Sequence, residues 1–183
     1  MLVVHRELAQ VFAPSSPVSC GLDGDCFYYF AYGSCMCPVD LKRSLGEPTH
    51  DYVIGPATLK GYRLGFHYYS QKRQCGALDI LPTPTGEVHG VLYRLPWRLS
   101  DRLDQREGVA QGAYRHESVA IEQAGQHYVG VRTYAVVQKT RVEVPPNDWY
   151  SSVVLRGAIT CKLPEAYCWQ LFDHIRRLQM GCA

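Results

Sequence analysis

From Tyr52 to Gln138 the chain is cut into short runs of Val, Ile, Leu and Tyr by glycine, proline and polar turn residues, and this punctuation restricts the fold more than any other feature. Tyr52 to Tyr69, Ala77 to Leu81 and Glu87 to Leu95 read as strands, the last two parted by a turn at Pro82-Thr83-Pro84-Thr85-Gly86. Tyr114 to Glu122 and Gln126 to Gln138 flank Gln123-Ala124-Gly125, the pattern of a hairpin. Upstream, the aromatic run Phe27-Tyr28-Tyr29-Phe30-Ala31 has the composition of a buried strand.

Helix signals are few and short. Pro38 to Gly46 places proline near a first turn and glycine past a last one. Ser100 to Gly108 reads as two turns, with serine as N-cap and Gly108 as the left-handed stop. Pro164 opens a final helix in which Tyr167, Cys168, Leu171, Phe172, Ile175 and Leu178 form one apolar stripe. Mostly antiparallel strands with a few helices predict an α+β fold around a barrel-like sheet. Residues 1–25, rich in Pro, Ser and Gly toward their end, are expected to be an N-terminal arm, and residues 26–183 a single domain.

Composition narrows the function classes. At 183 residues and 46% hydrophobic, the chain can bury a core without cross-links. Nineteen Lys and Arg against seventeen Asp and Glu, with no run of one sign, speak against a nucleic-acid partner. No stretch approaches the ~18–20 apolar residues of a membrane span. The start, MLVVHRELAQ, breaks its apolar run with His5, Arg6 and Glu7, so a cytoplasmic protein is expected. Among the eight cysteines, Cys20 and Cys26, Cys35 and Cys37, and Cys161 and Cys168 give no CxxC knuckle. They read as buried thiols, with neither a metal nor disulfides expected. No GxGxxG or P-loop implies a nucleotide cofactor, so none is expected.

Two places could carry chemistry. At Tyr32-Gly33-Ser34 a buried strand ends in glycine and feeds a helix, which can leave amides facing a carboxylate or an oxyanion; a simple strand-to-helix turn uses the same residues. Glu107 is the last residue before a helix-stopping glycine. The negative end of a helix disfavours the charged carboxylate, the direction that suits a general acid–base, although a solvated surface Glu is the commoner fate. The histidines are scattered and suggest no Ser-His-Asp order.

The order and spacing of Tyr29-Phe30-Ala31-Tyr32-Gly33-Ser34, Leu103-Asp104-Gln105-Arg106-Glu107-Gly108-Val109 and Gly112-Ala113-Tyr114 resemble the γ-glutamylcyclotransferase family. The likeness continues through Arg132-Thr133-Tyr134, through Tyr150 to Gly157-Ala158, and into Leu163-Pro164-Glu165-Ala166-Tyr167, covering roughly residues 27 to 178. It implies a small mixed or antiparallel β-barrel with flanking helices and a pocket at one end. It also implies that Tyr29, Phe30, Ala31, Tyr32, Gly33 and Ser34 receive the γ-glutamyl group, with Tyr150 and Tyr114 beside them and Tyr134 close by. Glu107 matches the family's acid–base carboxylate. Cys35 stands where the family usually has asparagine, and a thiol offers less hydrogen bonding than an amide.

The implied reaction needs no enzyme nucleophile, metal or cofactor: the substrate's own α-amine attacks its γ-carbonyl, releasing 5-oxoproline and an amine. The expected partner is a small γ-glutamyl compound, bound by a monomer or homodimer. Alternatives are a γ-glutamylamine or natural-product cyclotransferase, a cysteine-dependent amidohydrolase using Cys35, and a non-catalytic binding module of the same fold.

Overall fold

A computed structural model describes residues 18–19 and 25–181, so most of the expected N-terminal arm, with Cys20 and Cys182, lies outside the described residues. Among the described residues, six strands and four α-helices follow in chain order. β1 (Val18–Ser19) and β2 (Cys26–Ala31) precede α1 (Pro38–Leu45); then come β3 (Val53–Ser70), β4 (Cys75–Pro96), α2 (Ser100–Glu107), β5 (Tyr114–Gln123), β6 (Gln126–Val136), α3 (Asp148–Thr160) and α4 (Glu165–Gln179).

The sheet runs β1-β6-β2-β4-β3-β5, and β5 pairs again with β6, closing five strands into a barrel with β1 on its outside. β2 and β1 run parallel to β6 and every other pairing is antiparallel, so the barrel is mixed. Closing the sheet removes the exposed edges that a strand-rich chain otherwise presents. The core on this sheet includes Phe30, Phe66, Leu59, Ile80, Leu92 and Val131, each at most 1% exposed.

β3 and β4 form one long hairpin, and here the sequence reading needs correction. Pro82 to Gly86 is not a turn between two strands but a bulge inside one. Lys60 pairs with Glu87 and Tyr62 with Pro82, so Gly61 alone faces the four residues 83–86. Prolines cannot donate to a ladder, and a bulge is where a sheet tolerates them. The β5–β6 hairpin forms as expected, with Ala124 at φ 49° and Gly125 at φ 78° in its two-residue loop.

The helices flank the barrel. α1 begins at Pro38 and stops at Gly46, which is left-handed. α2 ends at Glu107 with Gly108 at φ 68°, but Ser100 is not its N-cap. The helix continues a 3-10 turn over Trp97–Leu99, and the Ser100 hydroxyl instead accepts from Arg132 Nη1 at 2.7 Å. In α4, Tyr167, Leu171, Ile175 and Leu178 face inward, whereas Phe172 is exposed and packs edge-on against Trp169. α3 carries no stripe that would announce it: Val153, Val154, Ile159 and Thr160 are β-branched, and Gly157 interrupts it. Its start is fixed by Asn147, whose side chain accepts from the Tyr150 amide at 2.8 Å.

Candidate active site

β2 delivers aromatic side chains alternately to two sides of the barrel wall. Tyr29 and Tyr32 line a cavity at one end of the barrel, together with Gly33, Ser34 and Cys35. Phe30 and Ala31 do not face it. Phe30 is fully buried against Gly90, its carbonyl accepting from Thr133 Oγ1 at 2.9 Å, and the Ala31 carbonyl also packs on Gly90. Of the residues expected to receive substrate, these two serve the barrel instead.

After Ala31 the chain turns sharply. Gly33 leads into a 3-10 turn over Ser34–Met36, closed by the Met36 amide on the Gly33 carbonyl at 2.9 Å. The turn is gripped from several sides. The Tyr93 hydroxyl donates to the Met36 carbonyl at 3.1 Å, as does the Cys161 thiol at 3.2 Å. α3 presses on it at Gly157, where a Cβ would stand 2.8 Å from the Cys37 nitrogen and 3.0 Å from Met36 Cβ. Only glycine allows that approach.

Arg106 ties the turn to α1 and α2. Its guanidinium donates to Asp40 Oδ2 at 2.7 Å, to Ser34 Oγ at 3.0 Å and to the Ser44 hydroxyl, while its Nε donates to Cys35 Sγ at 2.8 Å. The Arg106 and Asp40 side chains are 9% and 8% exposed, so this is a buried ion pair with its donors well used. Arg106 lies in the quoted motif, but nothing in the sequence marks Asp40 as its partner, since the two are 66 positions apart.

Glu107, the next residue, faces the cavity. Its Oε1 accepts from the Cys35 thiol at 3.0 Å and lies 3.7 Å from Arg106 Nε. Cys35 thus bridges cation and carboxylate, a larger part than the comparison of thiol with amide suggested. Burial, with Arg106 opposing and Glu107 reinforcing, pushes its thiol up to about 12. It stays protonated and donates.

Two tyrosines are oriented by one residue, Leu78 in β4. The Leu78 amide donates to the Tyr150 hydroxyl at 3.1 Å, and the Leu78 carbonyl accepts from the Tyr114 hydroxyl at 2.8 Å. Tyr150 therefore keeps its own proton to donate, while Tyr114, its proton committed, offers lone pairs. Tyr134 likewise spends its proton, on Asp104, which also meets His116 Nε2 at 2.7 Å. Burial raises Tyr29, Tyr32 and Tyr114 well above the ordinary phenol, and raises Tyr150 to about 12 against the pull of Arg73. All four are neutral hydrogen-bonding groups.

Arg73 completes the wall, with its guanidinium 5.3 Å from the centre of the Tyr150 ring. Neither Arg73 nor Leu78 was foreseeable: both come from the β3–β4 hairpin, whose pairing alone brings them here. The cavity is narrow, about 30 Å³, and borders an open groove of about 530 Å³ that shares Arg73, Glu107 and Tyr114 with it.

The chain is similar in sequence and fold to known proteins. Residues 87–171 match the AIG2-like family. The chain is 35% identical over 154 residues to YkqA of Bacillus subtilis (strain 168), which is provisionally named a γ-glutamylcyclotransferase; the match covers 84% of this chain but 54% of YkqA. The chain therefore spans about half the length of that relative. It is 31% identical over 150 residues to the γ-glutamylcyclotransferase of Bos taurus, covering 79% of this chain and 77% of the bovine one. The YkqA crystal structure superposes with a TM-score of 0.75 at 34% identity, covering 82% of this chain and 54% of that one. A solved γ-glutamyl cyclotransferase gives 0.73 at 25%, covering 80% and 86%.

Proposed function

The chain belongs to the γ-glutamylcyclotransferase family, and from that premise we propose that it converts a γ-glutamyl compound to 5-oxoproline and a free amine, with Glu107 as the proton carrier. The observation that supports this best is the Glu107 carboxylate, directed into a cavity walled by neutral tyrosines and the Tyr32-Gly33-Ser34 turn.

In this reading the glutamyl chain is held curled, so that its α-nitrogen reaches its own γ-carbonyl carbon. Intramolecular attack of this kind is worth up to ~7–11 kcal/mol of the barrier when the geometry is right. Glu107 takes a proton from the α-ammonium. The nitrogen lone pair forms the new C–N bond of the five-membered lactam and a tetrahedral oxyanion appears. The oxyanion collapses, the original amide C–N bond breaks, and Glu107 returns its proton to the departing nitrogen. The ring nitrogen gives its second proton to the released amine, so that a neutral lactam and an ammonium leave. Tyr150, which keeps its proton, suits the oxyanion or the α-carboxylate; Tyr114, which offers lone pairs, suits the α-ammonium. Cys35 holds one oxygen of Glu107 and leaves the other to the substrate. For a glutamyl group to enter, the Arg73 guanidinium swings off the Tyr150 ring, the only partner it has among the described residues.

Hydrolysis through Cys35 is the poorer reading. Its thiol is held protonated, and the base beside it, Glu107, accepts the thiol's hydrogen bond without freeing a thiolate.

The deciding experiment follows the product and the carboxylate together. γ-Glutamyl substrates should yield 5-oxoproline rather than glutamate, read by mass spectrometry. Glu107→Gln should lower kcat by ~10²–10⁴-fold, the usual contribution of general acid–base catalysis, while 5-oxoproline still binds within a few-fold. Free glutamate as product, or full turnover by Glu107→Gln, overturns the reading.

A further inference from the structure

We infer that the groove outside the catalytic cavity is a leaving-group subsite built for polyanionic amines, so that the preferred substrates are γ-glutamyl compounds whose leaving group carries two or more carboxylates. This inference rests on the cyclisation reading for the identity of the bound group, and on the groove itself for its charge.

The groove and the cavity share Glu107, Arg73 and Tyr114. If the glutamyl end fills the cavity and Glu107 protonates the departing nitrogen, whatever is attached to that nitrogen extends into the adjoining groove. Its walls are strongly cationic. Arg43 comes from α1, Lys72 and Arg73 from the β3–β4 turn region, Arg102 and Arg106 from α2, and Glu107 is the sole carboxylate among them. The whole protein carries a formal charge of only +2. The fold has therefore gathered charges that lie far apart in sequence, which is why no basic run betrays the groove.

These cations differ in how far they are already satisfied. Arg106 is consumed by Asp40, Ser34 and Cys35. Arg102 is fixed by donating to the Leu45 carbonyl at 2.6 Å. Arg43, Lys72 and Arg73 have no carboxylate partner among the described residues, and the Arg73 guanidinium rests on the Tyr150 ring. One unpaired cation would serve the single carboxylate of an ordinary leaving amino acid. Three unpaired ones around a groove of about 530 Å³ suit an extended leaving group with at least two. The same field repels cationic leaving groups, such as the free end of a diamine.

The test uses four substrates of matched glutamyl end: γ-glutamyl-glutamate, γ-glutamyl-alanine, γ-glutamyl-methylamide and γ-glutamyl-putrescine. kcat/KM for 5-oxoproline release should fall in that order. Exposed, screened ion pairs are each worth a few-fold, so the first-to-third ratio should be roughly ten or more at low salt and shrink as salt rises. The double variant Arg43→Gln/Lys72→Gln should cut that ratio at least threefold. Circular dichroism should confirm that it is folded, which is expected because both side chains are exposed. Equal kcat/KM across the panel, or a ratio unmoved in the double variant, overturns the subsite.

A second measurement separates this from the reaction itself. Calorimetric titration of γ-glutamyl-glutamate and γ-glutamyl-alanine onto Glu107→Gln needs no turnover. Tighter binding of the glutamate conjugate, with no 5-oxoproline formed by the wild type, would retain the groove and discard cyclisation. Equal binding of the two, with 5-oxoproline formed, would do the reverse.

Discussion

At the scale of single residues, the unusual position is Cys35. A cysteine beside a glycine turn and next to a carboxylate invites a nucleophilic reading, but its surroundings argue otherwise. The thiol receives a hydrogen bond from Arg106 and gives one to Glu107, so it works as a spacer that sets where the carboxylate points. Cys35→Ser keeps a hydroxyl able to do both and should retain turnover within a few-fold, and no glutamyl-thioester should be trapped by mass spectrometry in the wild type. Cys35→Ala removes the acceptor for a buried Arg106 Nε. It should cost ~1–3 kcal/mol in denaturant unfolding, the usual penalty for stranding a buried polar group. If Cys35→Ser abolished activity in a folded protein and an adduct were found, the thiol would have to be moved into the mechanism.

At the scale of elements, the site depends on two supports that contain no reacting group. The first is the close crossing of α3 over the 34–36 turn. Gly157→Ala places a methyl against backbone, which cannot yield as a flexible side chain would. The expected cost is ~1–3 kcal/mol, as for overpacking generally, with a fall in kcat because the turn and Tyr150 share α3 as their support. The second is the connector between β6 and α3, strapped along β3 by the Thr140 amide on His67 O and the Val144 amide on Phe66 O, both at 2.8 Å. Glu143 fastens it, accepting from the Phe66 amide at 2.8 Å and meeting His174 Nε2 at 3.0 Å. Burial pushes the Glu143 carboxyl up, but the Phe66 amide and His174 outweigh it and hold it below the ordinary carboxylate range. A group depressed in the folded state stabilises above its unfolded pKa of about 4.3, and that stability is lost as pH falls through the folded value. Melting temperature should therefore drop more steeply for the wild type than for Glu143→Gln as pH is lowered from about 5. Parallel curves would show that the strap contributes nothing to acid stability.

At the scale of the whole molecule, the barrel is an unequal assembly. β3 and β4 are paired along most of their length, whereas β2 meets β6 through the single register pair Tyr29–Arg132, and β3 meets β5 through Thr58–Glu122. Apart from the two-residue β1 on its outside, the β5–β6 hairpin is thus joined to the rest of the sheet by two short seams. Native-state hydrogen exchange should show it opening as a unit, at lower free energy than the β3–β4 ladder; uniform protection across all five strands would contradict this. Local chemistry determined a good deal of the molecule. Periodicity and turn residues announced β2, the β5–β6 hairpin, α1, α2 and α4, because each is fixed by neighbours within a few positions. The motif residues placed Glu107, Tyr32 to Ser34, Tyr114 and Tyr150 around one site. Tertiary structure decided what depends on partners distant along the chain. It turned Pro82 to Gly86 into a bulge, because β3 runs past on the other side, and it made a helix of the β-branched segment 148–160, because α3 packs on the turn. It turned Phe30 away from the cavity, since a strand must alternate its faces and Tyr29 takes the cavity side. It also brought Arg106 to Asp40, Leu78 between two tyrosines, and Arg43 and Lys72 to the mouth of the site. A hydrogen bond or a charge acts through space, and only the closed barrel makes neighbours of residues that the chain keeps dozens of positions apart.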